Sequence, residues 1–184
     1  FAEAQTNQTD DKGRKQGEWV KTHPETGKVA YRAEFKDDEP VGTTERYYAD
    51  GSLKARIRHL GGGKDRAKIF HPEGGGLLAT GKYKDRQRDS IWLFFDADST
   101  LTAEESYRNG KKNGMSRTYY PDGSISEKSM FKDGLRHGEW RQYYPDGNLK
   151  LEANVIEGVK YDGKFVNYHP NGKPSLEGEY VDGK

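Results

Sequence analysis

The chain has 184 residues, of which 31% are hydrophobic and 33% charged, too polar a balance for one thick apolar core. Aromatic residues still reach 12%, where a disordered chain of this polarity would be poor in them, so rings must be buried in thin layers. The 31 basic and 30 acidic residues are spread along the whole length, which argues against nucleic acid as a partner, and the lack of Cys excludes disulfides, thiolate metal sites and cysteine nucleophiles.

In chain order, residues 1–16 carry no repeat and read as a flexible leader. Ala2-Glu3-Ala4 has the small-x-small form of a signal-peptidase site, so export to a bacterial periplasm or cell surface is expected. No apolar run approaches the ~18 residues that span a bilayer. From Gly17 onward the chain repeats at intervals of 24 or 25 residues. The seven units are 17–41, 42–65, 66–89, 90–113, 114–137, 138–162 and 163–184, opening at Gly17, Gly42, Arg66, Ser90, Gly114, Gly138 and Gly163. The last unit ends at Lys184 on an uncovered strand, which favours self-association or a further repeat.

Each unit holds two segments of period-two alternation around a turn signal, which predicts β-hairpins and excludes helix. Asp50-Gly51, Asp122-Gly123, Asp146-Gly147 and Asn171-Gly172 predict two-residue type I′ turns. A second signal closes units, as at Asn109-Gly110, Asp133-Gly134, Glu157-Gly158 and Asp182-Gly183, so the hairpins should follow one another as an elongated, twisted all-β meander. A turn at Asp146-Gly147 sets Tyr144 opposite Leu149, Gln142 opposite Leu151 and Trp140 opposite Ala153. The same offsets set Trp19 opposite Ala33 and Phe165 opposite Gly178, rings over small residues on a structural aromatic face, while Thr44 faces Ile57. Trp92 lies on this face too, but opposite Glu105, which breaks the pattern. The other face is polar and carries one ring per unit at Tyr47, Phe95, Tyr119, Tyr143 and Tyr168, with Thr22 interrupting the row. These five are the candidate partner-binding residues.

Catalytic and metal chemistry find no support in the pattern. His23, His71 and His169 occupy the repeat position of Tyr48, Tyr120 and Tyr144, too far apart for one coordination sphere. His137 sits in a linking turn, and His59 replaces an aromatic at a strand end. Asp96-Ala97-Asp98-Ser99 aligns with Tyr120-Pro121-Asp122-Gly123, which makes Asp98 a turn residue rather than half of a carboxylate pair or a calcium ligand. Gly74-Gly75-Gly76 lacks the Lys and Ser or Thr of a phosphate loop. Nothing in the sequence brings a Ser, His and Asp together. Lys54 to Arg58, with Lys64, Arg66 and Lys68, reads as a solvated strand face. No catalytic residue, metal or cofactor is expected.

The stretches Asp133 to Gly147 (DGLRHGEWRQYYPDG) and Asn109 to Gly123 (NGKKNGMSRTYYPDG) resemble the MORN repeat in its bacterial variant form. The resemblance covers about nine-tenths of the chain, with Arg66 and Ser90 departing from the unit-opening Gly. It implies a meandering hairpin sheet and non-catalytic roles in protein scaffolding, dimerisation or membrane-lipid attachment; an antitoxin-like role is a weaker implication. A protein-interaction scaffold is therefore the leading expectation, with another protein or a second copy as partner. A glycan or cell-wall module stacking sugars on the Tyr row is the alternative. Anionic lipid ranks last, because acidic neighbours offset the basic residues.

Overall fold

A computed structural model describes residues 6–72, 75–156, 160–161 and 163–181, and these form strands and turns without a helix. The chain divides into two compact units, Phe1–Arg86 with Ala97–Ser99, and Gln87–Asp96 with Thr100–Lys184. The first contains β1 (Gln8–Thr9), β2 (Lys15–Thr22), β3 (Val29–Lys36), β4 (Glu39–Tyr47), β5 (Leu53–His59), β6 (Lys64–Phe70) and β7 (Leu77–Lys84). The second contains β8 (Gln87–Phe95), β9 (Leu101–Arg108), β10 (Lys111–Tyr119), β11 (Ile125–Lys132), β12 (Leu135–Tyr143), β13 (Leu149–Ile156), β14 (Lys160–Tyr161), β15 (Gly163–Tyr168) and β16 (Pro174–Tyr180). Within each unit successive strands pair antiparallel as an open meander, with the short β14 beside the end of β13 while β15 also returns to it. The all-β hairpin meander expected from alternation is thus the observed fold.

The turns inside the hairpins are not type I′. Tyr144 N–H donates to Asn148 O at 2.8 Å and Gly147 N–H to Tyr144 O at 2.9 Å, closing a three-residue loop. Only Gly147 is left-handed, at φ 85°, whereas type I′ needs two such residues. Asp146 is spent differently, its Oδ1 accepting the Asn148 N–H at 2.9 Å, as Asp50 and Asp122 do for Ser52 and Ser124. The loop is a type I turn with a glycine bulge. Tyr143 therefore pairs with Leu149, and Tyr144 does not. One step further in, Lys150 is an extra residue on β13, so Gln142 still meets Leu151 and Trp140 still meets Ala153. The bulge cancels the turn error, and the expected register holds away from the turn in every hairpin compared.

Type I′ geometry occurs instead in the links, where Asn109-Gly110 and Asp133-Gly134 both have positive φ at each residue, as does Asp37-Asp38. Residues 157–159 and 182–184 lie outside the described residues. A second bulge follows most links: Phe131 pairs with Arg136 but Ser129 with Trp140, and Gly138 between them has φ 96°. Ser90 adopts the same left-handed turn at φ 60°. The third hairpin has no such bulge, and its ladder places Asp65 opposite Tyr83, as Ser90 stands opposite Tyr107. Asp65, not Arg66, therefore holds the opening position.

The expected leader is structured from residue 6. Strand β1 pairs with β2, Trp19 Nε1 donates to Gln8 O at 3.2 Å, and Val20 N–H donates to Asn7 Oδ1 at 2.9 Å. Asp10 organises the turn by accepting Arg14 Nε at 2.8 Å and the N–H groups of Arg14 and Lys12 at 3.0 Å, and these bonds hold its carboxyl down to about 2. Polar side chains bonding their own backbone thus cover the β2 edge, where the lack of repeat suggested only a tail.

Candidate functional site

Residues paired across strands share a face, so the ladders sort the side chains. One face of each unit carries the structural rings: Trp19 opposes Ala33 in the first, and Trp92, Trp140 and Phe165 oppose Glu105, Ala153 and Gly178 in the second. The core is thin, with Ala33, Ala67 and Ala79 at 1–2% exposure and Trp92 at 0%. Gly178 is required by the ring above it, since a Cβ there would lie 2.5 Å from Phe165.

What covers the rings is a cation. In Lys15-x-Gly17-x-Trp19, Arg88-x-Ser90-x-Trp92 and Arg136-x-Gly138-x-Trp140, a left-handed residue stands midway and the basic side chain lies over the ring. Lys15 Nζ lies 4.9 Å from the Trp19 and Phe35 ring centres, and Arg88 and Arg136 lie 4.7 Å from Trp92 and Trp140. Glu105 now has a reason to face Trp92. It accepts the Tyr107 hydroxyl and Lys112 Nζ, both at 2.5 Å, while Arg88 donates to the same hydroxyl at 3.1 Å. Glu127 works likewise: burial pushes its carboxyl up, but Gln142 at 3.0 Å, Ser129 at 2.7 Å and Arg136 at 2.5 Å leave it below the ordinary range.

In the first unit the ring positions of the second and third hairpins hold Thr44 and Ala67, and Pro40 stands where the basic lid belongs. A cleft of about 1030 Å³ opens there, lined by Tyr31, Arg46, Ile57 and Tyr83 among others. Its floor holds a chain the sequence did not reveal: Thr44 Oγ1 and His59 Nε2 are 2.8 Å apart, and His59 Nδ1 is 2.8 Å from Asp65 Oδ1. Hydroxyl, imidazole and carboxylate are connected as in a nucleophile relay. Thr44 is 4% exposed, however, and the bonds meet the demand of buried polar groups where a ring is missing. His59 stands at the strand-end position of Phe35, Tyr107 and Phe131 and, in place of a ring there, bridges Thr44 and Asp65.

The opposite face carries the ring row. Tyr47, Phe95, Tyr119, Tyr143 and Tyr168 are all half-buried, and Phe70 occupies the same position in the third hairpin, opposite Leu77 as Tyr47 is opposite Leu53. The one-residue offset at Asp65 hid Phe70 from the repeat alignment. Neighbouring hairpins are tied at this row. Tyr48, Tyr120 and Tyr144 hydroxyls donate to the carbonyls of Phe70, Tyr143 and Tyr168 at 3.0, 2.7 and 2.8 Å, and His23 Nε2 lies 3.0 Å from Tyr47 O. These tethers hold successive rings of each unit two strand spacings, about 10 Å, apart. Beside the row runs a charged belt in which Arg56 contacts Glu45 at 2.9 Å, Arg117 contacts Glu104 at 2.6 Å and Arg141 contacts Glu152 at 2.6 Å. No group of three or more His, Asp or Glu side chains placed to hold a metal ion occurs among the described residues.

Hairpins that pair as a meander, with a ring under a cation at Trp19, Trp92 and Trp140, hydroxyl tethers from Tyr48, Tyr120 and Tyr144 to the next hairpin and a row of second rings on the other face, define a β-hairpin repeat protein. The MORN repeat variant family matches residues 112–133, 136–156 and 161–182, so these three consecutive units are MORN-variant repeats. No curated protein matches the chain. Among solved structures, a TarM point mutant from S. aureus, in complex with fondaparinux, alpha-GlcNAc-glycerol and UDP, is 13% identical with a TM-score of 0.39; 52% of this chain and 19% of that one are covered. A second TarM structure is 15% identical with a TM-score of 0.37, covering 55% of this chain and 21% of that one.

Proposed function

We propose that the chain is a non-catalytic scaffold that binds another protein through the ring-row face. The observation that carries this reading is the row itself: rings at one repeat position, half-exposed, fixed by backbone tethers and flanked by Arg and Glu. Aromatic anchors with a polar surround are the composition of protein interfaces. The sugar-stacking alternative has less support, because Tyr47 already spends its hydroxyl on Glu45 at 2.6 Å and Lys128 covers the Tyr143 ring at 5.6 Å. Light scattering across a concentration series tests a second copy as the partner. For a different protein, quantitative capture should recover a partner with the native chain and lose it with Tyr119→Ser/Tyr143→Ser. Retention by that folded variant would refute the ring-row reading.

A further inference from the structure

On the ring-row face of the first unit, cross-strand neighbours carry the same charge. Arg56 faces Lys68, Arg58 faces Arg66, Arg66 faces Lys82, and Lys64 faces Lys84. Like charges directly opposite on adjacent strands destabilise a sheet. In the second unit the Arg117, Lys128 and Arg141 row is relieved, since Arg117 meets Glu104, Arg141 meets Glu152 and Lys128 stacks on Tyr143. No such relief reaches Arg58, Arg66 or Lys68, which are exposed and form no ion pair among the described residues. The fold therefore tolerates a repulsive lattice that it does not need.

We propose that this lattice on β5 and β6 is the docking surface for an extended acidic segment of a partner protein. Three features select that occupant. Alternate side chains along a strand repeat every ~6.6–6.8 Å, so Arg56 and Arg58, with Lys68 and Arg66 beside them, match the period of alternate carboxylates on an extended peptide. Glu45 at the lattice edge shows the recognition itself, its Oε1 accepting both Nε and Nη2 of Arg56 at 2.9 Å. No ring stands between the cation rows, as base stacking by single-stranded nucleic acid would require.

The proposal gives a partner chemistry to the scaffold reading and rests on it. The test is fluorescence anisotropy of a labelled 20-residue oligoglutamate with the whole chain, at about 20 mM and about 500 mM salt. Binding at low salt, lost at high salt and weakened at least tenfold by Arg66→Glu, is the expected result. Lys132→Glu, with the same charge change in the second unit, should alter it less than twofold. Because Arg66→Glu places a carboxylate between Arg58 and Lys82, its thermal midpoint should equal or exceed the native one, which separates lost binding from lost folding. Unchanged oligoglutamate affinity in Arg66→Glu, or tighter binding of oligothymidine or of anionic-lipid vesicles than of oligoglutamate, would overturn the proposal. Failure here with partner capture still sensitive to Tyr119→Ser/Tyr143→Ser would leave the scaffold reading standing; loss of that sensitivity alone would remove the scaffold reading instead.

Discussion

The second unit buries Trp92 completely, roofs Trp140 with Arg136 and has a buried Ser116 at the ring position between them, whereas the first unit keeps Trp19 under Lys15 but places Thr44 and Ala67 in two successive hairpins. Both units carry the same extra residue after each hairpin turn, and the third hairpin departs only in lacking the second bulge. What differs is the filling: a ring under a guanidinium gives a closed face, and two successive hairpins without one leave a cleft floored by Thr44, His59 and Asp65. The charged belt changes in parallel, from paired Arg and Glu to Arg58, Arg66 and Lys68, which form no ion pair among the described residues. Architecture in such a repeat is held by turns, bulges and tethers, which leaves the filling free to diverge.

The largest expected break is in the filled unit. Trp92→Ala removes a fully buried ring and should cost about 3–5 kcal/mol in urea unfolding. Thr44→Ala in the cleft removes far less and should cost under half of that. His59→Ala should cost about 1–3 kcal/mol, because Thr44 and Asp65 are left without their shared partner. Arg88→Ala should cost about 0.5–2 kcal/mol by lifting the cation from Trp92. Arg66→Glu should be neutral or stabilise by about 0.2–1 kcal/mol, the smallest effect and the one of opposite sign.

Acid sharpens the same comparison. Glu127 in the second unit has its folded carboxyl lowered from the ordinary 4.5, so it contributes stability above that pH and loses it as pH falls through the folded value. Thermal midpoints of the native chain should drop on going from about pH 6 to about pH 3, and those of Glu127→Gln should drop less. An equal drop in both would remove Glu127 from the account.

The hairpins, their number of residues and most cross-strand pairs were legible in the sequence, because alternation and Asp-Gly signals act locally. The turn type was not: Asp146 can serve either a type I′ pair or an Asx bond, and only the compensating bulge at Lys150 hid the difference. The cation lids escaped notice because Arg136 and Trp140 sit four residues apart in a strand and meet only through the bulge at Gly138. Phe70 was lost to the third hairpin's missing bulge, and the Thr44, His59 and Asp65 chain draws on three strands. The ring row was readable as a repeat position, while its tethers depend on which carbonyl each Tyr hydroxyl reaches.

The central claim is that one face binds and the other holds the fold. Replacing Tyr119 or Tyr143 with a photo-cross-linking phenylalanine analogue, and Arg46 or Gln142 on the Trp face likewise, puts the two faces in direct competition in the native cell. Cross-links to another polypeptide from positions 119 and 143, with none from 46 and 142, are the predicted result. Adducts from the Trp-face positions alone would contradict it.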